Sequence, residues 1–109
     1  SKVQDAVKLF SKKHGNIIHD GEMQFDTAVN STISSLKMPE SKLSGDANVF
    51  IFPDLNSANI AYKIANHLAN YQSLGPILVG LNKPVNDLSR GCSVDDIIYV
   101  SAVACLQSN

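Results

Sequence analysis

Short apolar runs rich in β-branched and aromatic residues alternate with amphipathic segments along this chain, and that alternation narrows the fold more than any other feature. Residues 2–14 put Val3, Ala6, Val7 and Phe10 on one face at helical spacing, and Gly15 is a natural stop. Ile17-Ile18-His19 is a β-prone run closed by Asp20-Gly21. Residues 25–36 carry a helical stripe of Ala28, Val29, Ile33 and Leu36, followed by a polar loop over 37–46. Residues 47–52 (Ala-Asn-Val-Phe-Ile-Phe) read as a strand with two apolar faces, stopped by Pro53. A helix over 57–69, a run Ile77-Leu78-Val79, a long polar loop over 80–92 and a largely apolar final helix over 94–106 complete the order. The pattern α-β-α-β-α-β-α predicts an α/β fold, a mostly parallel sheet with flanking helices, and strands near 17–19, 47–52 and 77–79.

Composition excludes several classes. With 109 residues there is enough chain for one core, and the net charge of −1 gives no basic footprint for nucleic acid and no polybasic membrane patch. No apolar run approaches a membrane span. Cys92 and Cys105 form no C-x-x-C pair, and His14, His19 and His67 lack ligand spacing, so no metal site is expected. Cys105 reads as a core residue, and the histidines as surface or satisfied side chains. The chain opens on a helical pattern without an initiator Met, as a piece of something longer would, and as a processed start would too.

In open α/β sheets, ligands bind beyond the carboxyl ends of strands. Two loops fall there, 53–59 and 80–93, and the second is unusually long for a strand-to-helix connection. It closes on Ser89-Arg90-Gly91-Cys92-Ser93. An Arg fork suits phosphate, Gly91 allows close backbone approach, and a helix start offers free N–H groups. The same pattern also describes a capped helix beside a surface Arg. Ser93 is a good N-cap, and Asp96 falls three residues on, at the reciprocal position of a capping box; Asp95 and Asp96 both complement the helix dipole. Asp54 and Asn56 are caps for the following helix or ligand groups. Lys83 is a solvated loop residue or a phosphate contact, and Cys92, with no basic partner nearby in sequence, is a packing residue or a bystander in the site.

Three segments carry a closer likeness: residues 20–26 (DGEMQFD), 48–56 (NVFIFPDLN) and 75–93 (GPILVGLNKPVNDLSRGCS). Together they resemble the phosphate acetyl/butyryltransferase family, with the match running from about residue 16 to the end and residues 75–93 the most specific part. The resemblance implies that residues 1–109 are the C-terminal portion of a two-domain enzyme with an isocitrate/isopropylmalate-dehydrogenase-like fold. Residues 93–107 would then form a C-terminal helix that returns to a first domain not included here. It implies acyl transfer between coenzyme A and phosphate, with acetyl-CoA and acetyl phosphate as the exchanging pair. Ser89 and Arg90 map to oxyanion and phosphate stabilisers and Asp96 to the general base. Lys83, Asn86, Gly91 and Cys92 are the candidate substrate-binding residues. No metal or prosthetic group is implied; coenzyme A is a substrate. A cytoplasmic homodimer is the implied state of the intact enzyme. A butyryl-transferring sister enzyme and a non-catalytic acyl-CoA- or phosphate-binding module are the alternative readings.

Overall fold

A computed structural model describes residues 1–108 and contains five helices: α1 (Lys2–His14), α2 (Phe25–Val29), α3 (Ser31–Lys37), α4 (Leu55–Ala69) and α5 (Val94–Gln107). The chain divides into two compact units, Ser1–Asn59 and Ile60–Asn109, and the division falls within α4.

The expected α/β architecture is not what forms. Among the described residues there is no strand ladder, only one isolated antiparallel bridge between Ile77 and Asn86. Residues 17–19, 47–52 and 77–79 are extended or irregular, and none is a strand. The physical reason lies in what a strand needs. Its backbone groups are satisfied only by a neighbour, and a β-branched run without one remains open chain. Ile51 and Val79 accordingly stay 87% and 84% exposed. Residues 17–19 are instead drawn onto α1. The His19 ring meets Phe10 edge-on at 4.8 Å, and its Nε2 lies 2.6 Å from Ser11 Oγ while Nδ1 lies 2.6 Å from the Ile17 carbonyl.

The helix expected over 25–36 is two helices. Asn30 adopts extended backbone between them, and its side-chain oxygen accepts from Ile33 N–H at 3.1 Å, capping α3. An Asn side chain that competes for backbone donors favours a cap over a helix interior. The junction is closed by the 43–47 turn, where Ala47 N–H donates to the Ala28 carbonyl at 3.0 Å. Gly45 has φ +78° there, and a Cβ on it would come within 2.4 Å of the Asn30 backbone, so both conformation and space require glycine. Lys37 clamps the same junction through Asp26 (2.8 Å) and Gln24 (2.6 Å). The Lys37 ammonium, with help from the Thr27 N–H, holds the Asp26 carboxyl below its ordinary range.

What this first unit buries is small: Thr27, Ala28, Ser34 and Ser41. Phe25 and Phe50 pair at 5.1 Å on its surface. Lys2 Nζ reaches the Pro53 carbonyl at 2.6 Å, tying the start of α1 to the turn that opens α4. There Asp54 accepts from Ser57 N–H at 2.8 Å, which starts α4 two residues earlier than its apolar stripe suggests.

In the second unit α4 ends where Asn70 turns left-handed, and Asn66 Nδ2 donates to the Tyr71 carbonyl at 2.9 Å. Helix α5 follows its predicted bounds closely. Its apolar breadth finds little cover: Val100 is buried, while Ile98 and Leu106 are exposed. Cys105 is exposed as well, contrary to its expected place in a core. No helix among the described residues is long and apolar enough to cross a membrane.

Candidate functional site

The start of α5 is set by two residues. Ser93 has extended backbone and a hydroxyl that accepts from Asp96 N–H at 3.1 Å. Asp96 Oδ2 in return accepts from the Ser93 N–H and the Ser93 hydroxyl, each at 2.8 Å. This is the reciprocal capping box that the spacing predicts. The Ser93 backbone donor, followed by its hydroxyl, holds the Asp96 carboxyl below its ordinary value, so it is ionised at neutral pH. Its other oxygen, Oδ1, accepts no hydrogen bond among the described residues and is left to a ligand or to water.

Ser89 and Arg90 lie in the turn that leads into this cap. The Ser89 carbonyl accepts from Cys92 N–H at 3.0 Å, and the Ser89 hydroxyl accepts from Gly91 N–H at 3.3 Å. The turn therefore folds back on Ser89, and a Cβ at Gly91 would meet no neighbour within 4 Å. Arg90 is exposed and makes no ion pair among the described residues. No hydrogen bond joins Ser89 or Arg90 to Asp96; the chain brings them to adjoining turns, with Ser93 between. Cys92 is half-buried and contributes only its backbone.

Farther back along the loop, Lys83 and Gln107 line a shallow cleft with Leu78, Leu81 and Pro84. Asn86 is engaged at both ends of its amide: Oδ1 accepts from Leu78 N–H at 3.1 Å, and Nδ2 donates to Gln107 Oε1 at 3.0 Å. Gln107 is the residue that sequence reading passes over, because its partner lies 21 positions away and no local spacing announces the pair. In the other loop, Asp54 is the cap of α4, and the Ser57 N–H draws its carboxyl below the ordinary range; Asn56 lies inside that helix. Among the described residues no group of His, Cys, Asp or Glu is arranged to hold a metal ion.

A family model described as phosphate acetyl/butaryl transferase matches residues 1–105. The phosphate acetyltransferase of Buchnera aphidicola subsp. Acyrthosiphon pisum (strain APS) is 52% identical over 107 residues, which are 98% of this chain and 15% of that protein. The phosphate acetyltransferase of Bacillus subtilis (strain 168) is 49% identical over 98% of this chain and 33% of its own length. Among solved structures, the EutD phosphotransacetylase from Staphylococcus aureus superposes with a TM-score of 0.88 at 50% identity, covering 98% of this chain and 34% of that one. The chain thus spans 15–34% of the length of these relatives.

Proposed function

Because the chain belongs to the phosphate acetyl/butaryl transferase family, we propose that it is the C-terminal portion of a phosphate acetyltransferase, which reversibly moves an acetyl group between coenzyme A and phosphate. The observation that carries this reading is the 49–52% identity to phosphate acetyltransferases across 98% of the chain. The α5 start is consistent with it: an ionised carboxylate with one free oxygen adjoins a turn that carries an unpaired Arg.

In the forward reaction the coenzyme A sulfur attacks the acetyl carbon of acetyl phosphate. The C–S bond forms, the bond from carbon to the phosphate oxygen breaks, and phosphate leaves. A thiol has a pKa of about 8.5, so a base is useful at neutral pH. Asp96 Oδ1 is that base, with Oδ2 kept in place by Ser93. The tetrahedral oxyanion needs donors, which Ser89 and Arg90 supply, and the planar Arg90 fork also meets the leaving phosphate. Lys83, in its cleft, is an additional cation for an anionic part of a substrate. The Gly91 and Cys92 backbone lets substrate come close to the turn.

The activity belongs to a longer, two-domain protein that includes this segment. Helix α5 packs on that protein's first domain, which accounts for its uncovered apolar faces. The intact enzyme is a cytoplasmic homodimer. The test is acetyl-CoA formation from acetyl phosphate and coenzyme A by the full-length protein, alongside butyryl phosphate. Turnover with acetyl phosphate is expected to dominate. A preference for butyryl phosphate would make it a sister enzyme, and binding without turnover a non-catalytic module; either refutes the proposal.

A further inference from the structure

The loop that carries Ser89 and Arg90 is held at one side chain. Asn86 pairs through its backbone with Ile77, and Asp87 N–H beside it donates to the Pro76 carbonyl at 3.4 Å. Its carboxamide then joins three pieces of chain, accepting from Leu78 N–H and donating to Gln107 in the last turn of α5. The chemistry fixes the orientation of both amides. A backbone N–H can be received only by Oδ1, so Nδ2 faces Gln107, which must present Oε1.

Gln107 closes α5 and Ser93 caps its start, so the two lie about 20 Å apart along the axis at 1.5 Å per residue. Residues 87–93 therefore run back along the helix from its last turn to its first. Seven extended residues reach at most ~25 Å, and the turn at Ser89–Cys92 takes up part of that length. Residues 87–93 are thus a short connection between the two ends of α5. A residue that pins one end of so short a tether also sets where Ser89 and Arg90 lie relative to the cap at the other end.

We propose that Asn86, with Gln107 as its partner, is a positioning residue for the Ser89–Arg90 turn and does not itself touch substrate. This rests on the acetyltransferase reading above. The discriminating variant is Asn86→Asp. The new carboxylate still accepts from Leu78, and Gln107, turned over, donates its Nε2 to the second oxygen. A residue in contact with a phosphate would instead confront it with a like charge.

The experiment measures kcat and KM of the full-length protein for acetyl phosphate and for coenzyme A, with hydrogen exchange of residues 87–92 as a readout independent of turnover. Asn86→Ala and Gln107→Ala are each expected to lower kcat about 10–100-fold, the scale of a small misplacement of reacting groups, with KM nearly unchanged. The double variant should be no worse than either single, as for two halves of one contact. Both Ala variants should also speed exchange over 87–92, whereas Asn86→Asp restores kcat, KM and protection. A large rise in KM for either substrate in Asn86→Asp, with kcat kept, would make Asn86 a substrate contact and overturn the proposal. So would unchanged kcat and exchange in Asn86→Ala, or a lowered Tm with kcat per folded enzyme intact. A wild-type protein with no acetyl transfer would refute the activity instead, and exchange in the same variants would still report whether Asn86 holds the turn.

Discussion

Asp96→Asn separates the two roles available to the carboxylate at the start of α5. In the structure Oδ2 takes both Ser93 donors, and the Ser93 hydroxyl takes the Asp96 N–H. An Asn keeps one acceptor oxygen for Ser93 N–H and keeps its own backbone donor to the Ser93 hydroxyl, so the reciprocal cap survives in part. The loss to the cap is one hydrogen bond and one exposed charge near the helix dipole, so the thermal midpoint of the full-length protein should move by no more than a few degrees. The loss to the chemistry is larger. Oδ1 is the free oxygen, and an amide cannot accept a thiol proton, so kcat should fall ~10²–10⁴-fold, the usual contribution of a positioned base. The assay is thioester formation followed continuously, beside a thermal melt of the same preparation. The pH dependence has a definite sign. Ser93 lowers the Asp96 pKa, so the ionised carboxylate, and the stability it lends the cap, is present above the ordinary carboxylate range and lost only as pH falls through the lowered value. Turnover within a few-fold of wild type in Asp96→Asn would refute the base assignment and leave Asp96 as a cap alone.

Arg90→Lys should lower turnover substantially with little change in Tm, because an ammonium cannot reproduce a planar two-pronged contact; full activity in a steady-state assay would remove the guanidinium from the mechanism. Gly45→Ala should destabilise by about 2–3 kcal/mol, from ~1–2 for a left-handed residue and ~1 for disturbing the Asn30 cap, read as a drop in the thermal midpoint; an unchanged midpoint would show that the 43–47 turn yields freely. The 109-residue segment on its own should show no turnover and should self-associate, since Ile51, Leu55, Leu68 and Val79 are each at least 79% exposed; a monodisperse monomer by sedimentation would contradict this.

Helices were legible in this sequence where periodicity and caps agree, and strands were not. Helix α1 has its Lys-rich last turn, and α5 has Ser93 and Asp96 at capping-box spacing, so both could be bounded from local signals. The helix over 25–36 failed at Asn30, where an ordinary-looking polar residue takes the cap of α3 and breaks the stripe. The α/β reading failed for a different reason. The composition of 47–52 and 77–79 records a preference for the extended state, but a sheet is a property of neighbours, and among the described residues those runs find none beyond the Ile77–Asn86 bridge. At the site, the Ser93–Asp96 pairing is local and could be read. The Asn86–Gln107 contact joins residues brought together by the path of the chain, and no local spacing signals that both arms of Asn86 are occupied.

The small buried set around α2 and α3 has a consequence for which substitutions this unit can absorb. In most folded units the sensitive positions hold large apolar side chains, and the damage comes from truncation. Here the enclosed positions hold Thr27, Ala28, Ser34 and Ser41, with Gly45 against the Asn30 backbone. Truncating them removes little, while one added methyl or methylene has nowhere to go. A map of tolerated substitutions over residues 24–47 should therefore be inverted, permissive to shrinking and intolerant of growth. Its most restricted positions would be ones that a hydropathy profile passes over.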